Sequence, residues 1–137
     1  ASEHEISVDL ADDLLMAKMD VRLIVQVIIN IVNNAIKYTP EGSHICLSAQ
    51  KEKKMVRIRI ADDGPGISDE SKLHLFDMFY TADIGKADSR RGLGLGLSLC
   101  KSIVDAHGGE ITVSDNKPQG AVFSFTLPLE EVNFDHV

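Results

Sequence analysis

The chain has 137 residues, of which 44% are hydrophobic and 26% charged, and carries a formal net charge of −7. That length supports one domain with a real core, and the acidic balance disfavours non-specific binding to nucleic acid. Two cysteines, Cys46 and Cys100, without CxxC spacing fit a reducing compartment, two core thiols and no zinc site, and the longest apolar stretch is interrupted by Gln26 and Asn30, too soon for a membrane span.

Residues 3–10 alternate, with Ile6, Val8 and Leu10 on one side, and predict a first strand. Residues 11–19 connect it to a helix over 20–38. Asp20 is placed to cap that helix, and Thr39-Pro40 to end it, because the residue before a proline is driven out of the α region. At about 100° per residue, apolar side chains cover most of the circumference. Gln26, Asn30, Asn33, Asn34 and Lys37 form one polar stripe, and everything outside it is expected to be buried. A solvated stripe would carry Lys and Glu; amides are mediocre helix formers and point to a cleft. Asn30, Asn34 and Lys37 share one side, and neutral oxygens beside an ammonium suit a metal held against phosphates. A polar edge of a core helix, with amides satisfying backbone groups, accounts for the same pattern.

Residues 41–43 turn the chain. Ile45, Leu47 and Ala49, then Val56, Ile58 and Ile60, alternate with polar residues on either side of a charged turn over 51–54, which predicts a hairpin with one covered face. Its second strand runs into Asp62-Asp63-Gly64-Pro65-Gly66-Ile67. Two glycines let a backbone approach a flat ligand, and a strand-end carboxylate can accept from an exocyclic amine; an ordinary turn explains the same residues. Ser68 caps a short helix with Asp69 and Glu70 in its first turn, and Phe76 and Phe79 follow at core spacing. Residues 81–91 have little to bury and exceed the usual connection length, which suits a lid or a disordered surface segment; Arg90-Arg91 closes it.

Gly92, Gly94 and Gly96 alternate at the start of the next helix, where free backbone N–H groups make a phosphate site. The pattern lacks both the Walker lysine and the dinucleotide spacing. Leu97, Ile103 and Val104 mark the buried face, His107 suits the negative helix end, and Gly108-Gly109 cap it. A strand at Ile111 and Val113, a turn over 116–120, and a strand presenting Phe123, Phe125 and Leu127 complete the order, with Pro128 as its stop and an acidic tail beyond. Hairpins joined by helices predict a two-layer α/β sandwich, a mixed sheet with helices on one face, as a single domain over 1–137.

In this order the motifs resemble those of the ATP-binding catalytic domain of bacterial two-component sensor histidine kinases, in the GHKL ATPase superfamily. Residues 26–40 are similar to the asparagine box, Asp62-Asp63-Gly64-Pro65-Gly66 to the first glycine box, Phe76-x-x-Phe79 to the phenylalanine box and Gly92-x-Gly94-Leu95-Gly96-Leu97 to the second glycine box; His107-Gly108-Gly109 and 123–128 also fit. The resemblance implies Mg²⁺ and ATP as cofactors. Asn34 would hold the Mg²⁺, Asn30 would support metal and phosphates, and Lys37 and Tyr38 would line the phosphate and sugar side. Asp62 would accept from the adenine amino group, with Gly64, Gly66 and Ile67 beside it and Phe79 at the base of the lid. Gly92, Gly94, Leu95, Gly96 and Leu97 would bring the helix start to the phosphates, and Arg90 or Arg91 would meet the γ-phosphate.

Two positions depart from the pattern: Leu93 replaces a small or hydroxylated residue, and Asp63 an asparagine. The resemblance further implies a phosphoacceptor and dimerisation helical domain as partner, absent here, and a response regulator reached indirectly. This chain would be monomeric and cytoplasmic, within a homodimeric parent in the bacterial inner membrane, similar to the potassium-responsive sensors. Hydrolysing relatives use a glutamate base on the first helix; this helix offers Gln26, Asn30 and Asn34, none of them a base.

Overall fold

The computed structural model describes residues 5–10, 19–77 and 96–129. Its strands are β1 (Glu5–Leu10), β2 (His44–Glu52), β3 (Met55–Asp62), β4 (Ile111–Asp115) and β5 (Ala121–Pro128), and its helices α1 (Val21–Tyr38), α2 (Asp69–His74) and α3 (Gly96–Ala106). The five strands form one sheet in the order β1-β2-β3-β5-β4, with β1 parallel to β2 and every other pair antiparallel. The mixed sheet and one-sided helical layer match the expected sandwich.

Strand alternation decides which face is covered. Cross-strand register aligns Leu47, Ile60, Phe123 and Val113 in one row and Ala49, Ile58, Phe125 and Ile111 in the next. These rows meet Ile24, Val27, Ile31 and Ala35 of α1 and Cys100, Ile103 and Val104 of α3 in a single core. The opposite face carries Arg57 and Arg59, with Arg57 paired to Glu52 at 2.8 Å and donating to Ser124 Oγ at 2.6 Å. The charged turn is shorter than expected: Lys51 and Glu52 belong to β2, and Lys53-Lys54 alone make the bend, with Lys53 at φ 59°.

The ends of α1 form as the chemistry requires. The Asp20 carboxylate accepts from the Arg22 and Leu23 amides, and Thr39 is extended at φ −121°, ψ 149°. The expectation that α1 is buried everywhere outside its polar stripe is corrected. Only Ile24, Val27, Ile31 and Ala35 are buried, whereas Val21, Leu23, Val25 and Ile29 are exposed. A helix lying on one face of a single sheet covers one stripe, and among the described residues no further layer rests on its outer flank. The β1 side chain of Ile6 is likewise half exposed, as suits an edge strand.

Ser68 caps α2 through the Ser71 amide, and Lys72 pairs with Asp69 in the same helix (2.9 Å) and ties it to the sheet through Asp115 of β4 (2.6 Å). Just beyond α2, the Phe76 ring meets Phe123 edge-on at 6.3 Å. At the other end of the helical layer, Gly108 at φ +79° lets the chain leave α3, and Gly109 passes so close to Thr126 O that a Cβ would sit 1.7 Å from it.

Candidate functional site

The first glycine box follows β3 directly, and the sheet shapes it. Asp62, the last residue of β3, is 6% exposed. Its Oδ1 accepts from the Gly64 amide at 3.0 Å and the Ala121 amide at 3.3 Å. Its Oδ2 has no hydrogen-bond partner among the described residues. A buried carboxylate oxygen left free is costly unless something else donates to it. The loop beyond leaves no room for side chains: a Cβ on Gly64 would lie 2.4 Å from Thr39 Cγ2, and Gly66 sits at φ +83°. Gly64 therefore rests against the end of α1, where Thr39 Oγ1 donates back to Ala35 O at 2.7 Å. Ile67 packs against the core beside the loop.

Asp63 is exposed and tied to β2 from both directions. Its Oδ1 accepts from the His44 amide at 2.7 Å, and its own amide donates to His44 O at 3.2 Å. The residue that departs from the family pattern thus fastens the loop to the neighbouring strand β2.

Asn30, Asn34, Lys37 and Tyr38 lie on α1, and their surroundings differ. Asn30 is engaged by the protein: its Oδ1 accepts from Gln26 Nε2 at 2.9 Å. Cys100 donates to Val27 O at 3.7 Å, and burial pushes its pKa up to about 11. The Asn34 amide, half-buried, makes no hydrogen bond among the described residues. Lys37 Nζ stands 5.2 Å from the centre of the Tyr38 ring. A neutral oxygen without a protein partner, on a helix beside an ammonium, fits a small hard cation that keeps water and phosphate as its other ligands. The same donor set fits no all-protein cation cage, and the described residues contain no group of three or more His, Cys, Asp or Glu that could hold a metal.

Gly96 begins α3, with open space where its Cβ would be, and Leu97 packs against the core. Phe79, the expected lid at 81–91 with Arg90 and Arg91, and Gly92, Gly94 and Leu95 lie outside the described residues.

The sequence predicts only a turn over 116–120, yet its side chains reach the glycine box. Asn116 Nδ2 donates to Asp62 O at 2.7 Å and Gln119 Nε2 to Asp63 O at 2.8 Å. His107 does more than favour the end of its helix. Its Nδ1 meets Ile103 O at 2.7 Å, and its Nε2 accepts from the Asp20 amide at 3.0 Å, joining the end of α3 to the start of α1.

The sequence profile of the histidine kinase-, DNA gyrase B-, and HSP90-like ATPase family matches residues 19–131. The chain belongs to that family. Sensor protein KdpD of Clostridium acetobutylicum is 46% identical over 127 residues, which are 93% of this chain and 14% of that protein. The chain therefore spans about one seventh of the length of this relative. Among solved structures, the nucleotide-free catalytic domain of histidine kinase ThkA is 34% identical with a TM-score of 0.78, covering 92% of this chain and 80% of that one. Histidine kinase ThkA in complex with the response regulator TrrA matches at 32% identity and a TM-score of 0.75, over 93% of this chain and 34% of that one. The fold is that of a histidine kinase catalytic domain, and the family is one of ATPases.

Proposed function

We propose that this chain is the catalytic module of a sensor histidine kinase. In this reading it binds Mg²⁺-ATP and donates the γ-phosphoryl group to a histidine on a helical dimerisation domain elsewhere in its parent, from which a response regulator is served. The parent is a homodimer of the bacterial inner membrane, of the potassium-responsive type, and this module is a cytoplasmic monomer within it. No helix among the described residues is long and apolar enough to cross a membrane.

The observation that carries the reading is Asp62. Its buried carboxylate opens the Gly64–Gly66 loop, and Oδ2, which has no hydrogen-bond partner among the described residues, would accept from the adenine amino group. Ile67 flanks that base. Asn34 would hold the Mg²⁺, and Asn30, whose Oδ1 accepts from Gln26, would support the metal and phosphates. Lys37 and Tyr38 line the phosphate and sugar side. Gly92, Gly94, Leu95, Gly96 and Leu97 would bring the helix start to the phosphates, Arg90 or Arg91 would meet the γ-phosphate, and Phe79 would belong to the same nucleotide site. When bound, Mg²⁺ neutralises charge on the phosphates. The chain's own part is positioning: α1 has no Asp or Glu over 21–38 to activate water, so bound ATP is kept for transfer rather than hydrolysed.

The test is titration of a fluorescent ATP analogue with Mg²⁺ and with chelator, followed by incubation with γ-labelled ATP with and without a sensor kinase's helical domain. Expected are Mg²⁺-dependent saturation, no label on the chain alone, and acid-labile label on the added domain. Binding indifferent to Mg²⁺, or stoichiometric label on the isolated chain, overturns the assignment. Acid-stable label on a serine of an added protein would instead make it an anti-sigma-type serine kinase.

A further inference from the structure

We infer that the β4–β5 turn, residues 116–120, is the positioning element of the nucleotide site: Asn116 and Gln119 hold the glycine box so that Asp62 Oδ2 faces the base. The inference rests on the reading of Asp62 as the adenine acceptor.

The ladder between β3 and β5 ends at the pair Ala61–Val122. Beyond it the strands part, and the carbonyls of Asp62 and Asp63 lose their ladder donors. Side-chain amides replace them, Asn116 Nδ2 on Asp62 O at 2.7 Å and Gln119 Nε2 on Asp63 O at 2.8 Å. Asn116 is itself set by the turn: its amide donates to Gly120 O at 2.9 Å, and its Oδ1 accepts from the Lys117 amide, also at 2.9 Å. Gly120 lets the turn lie flat against the loop. It sits at φ +112°, and a Cβ there would fall 1.9 Å from Asp62 O. Just after it, the Ala121 amide is one of the two donors that fix Asp62 Oδ1. Gly66 closes the contact from the other side, its Cβ position 3.3 Å from Gly120 O. One turn thus holds the carbonyls of Asp62 and Asp63 and one oxygen of the Asp62 carboxylate, and the other oxygen has no partner among the described residues.

A residue that only supports the fold would affect all nucleotides alike. A residue that aims Asp62 affects those with a 6-amino group. The experiment compares Mg²⁺-ATP with Mg²⁺-ITP, which carries a 6-oxo group in place of the amine, on wild type, Asn116→Ala, Gln119→Ala, Gln119→Lys and Lys117→Ala, with melting curves for each. Expected is a preference of wild type for ATP, and a roughly tenfold loss of ATP affinity in Asn116→Ala and Gln119→Ala with ITP affinity changed less than twofold. Gln119→Lys, which keeps a donor, restores much of the preference, and Lys117→Ala, which contributes only its backbone amide, matches wild type. Hydrogen exchange at the Gly64 and Ala121 amides should quicken in the two alanine variants. Equal losses for ATP and ITP, or an unchanged preference in both alanine variants, overturn the positioning role while leaving Asp62 as acceptor. If wild type does not distinguish ATP from ITP, the adenine reading itself falls. Should Asn116→Ala fail to fold, the Gln119 pair decides the matter alone.

Discussion

An Asp62→Asn substitution keeps an oxygen for the Gly64 and Ala121 amides and turns the free end of the group into a donor. Facing an adenine amine, that donor has nothing to accept it. A hydrogen bond to a charged group contributes about 1.5–3 kcal/mol, so ATP affinity should drop roughly 10–100-fold. The melting temperature should barely move. Asp62→Ala differs, because it also strands two buried amides at about 1–3 kcal/mol each, and should lower both affinity and stability. Equilibrium binding and thermal melts on the two variants separate the roles; normal ATP binding by Asp62→Asn would make Asp62 a turn residue. Cys100 offers a second check at this scale. With its pKa near 11, about one part in a thousand is thiolate at pH 8, so alkylation in the native state should be very slow and become fast in denaturant. Glu52 is held below the usual carboxylate range chiefly by its hydrogen bond to Arg57. A depressed folded value stabilises above the unfolded value and loses that contribution as pH falls through the folded one. Glu52→Gln should therefore flatten part of the acid limb of the stability curve, read as Tm against pH.

Elements were legible from sequence where the deciding chemistry is local. Asp20 and Pro40 mark the ends of α1, Ser68 the start of α2, and two-residue alternation the covered face of β2, β3 and β5. The parts that escaped are long-range. Nothing near Asn116 indicates that it donates to a carbonyl 54 positions earlier, and nothing in α1 shows that Val21, Leu23, Val25 and Ile29 stay exposed. His107 belongs with these. One ring nitrogen accepts from the Asp20 amide while the other faces Ile103 O, an arrangement that needs a neutral imidazole protonated at Nδ1. Ring ¹⁵N shifts should report that tautomer. His107→Ala should cost about 1–2 kcal/mol by freeing the first turn of α1 from the last turn of α3, measured by urea unfolding. An unchanged midpoint would mean that the contact contributes nothing to holding the helices in register.

Across the whole molecule, stability is concentrated at the middle of the sheet. Phe123, Phe125 and Leu127 of β5 are almost wholly buried between neighbours on both sides, whereas β1 and β4 are the edge strands of the described sheet. Hydrogen exchange should be slowest in β3 and β5 and fastest at those edges, and Phe125→Ala should cost about 3–5 kcal/mol, enough to unfold much of the population. The candidate site sits where the central strands end, so its floor inherits the rigidity of the best-protected part of the fold. There α1 meets it, held at its start by His107 and pressed at Thr39 by Gly64. A helix pinned at both ends is a ruler. From Asn30 to Thr39 it advances about 13 Å at 1.5 Å per residue, comparable to the reach from the amine of a base to a terminal phosphate. On the proposed reading, length as well as chemistry would be read along this helix, and one inserted residue between Asn34 and Lys37 would put the two ends of a bound nucleotide out of phase by about 100°.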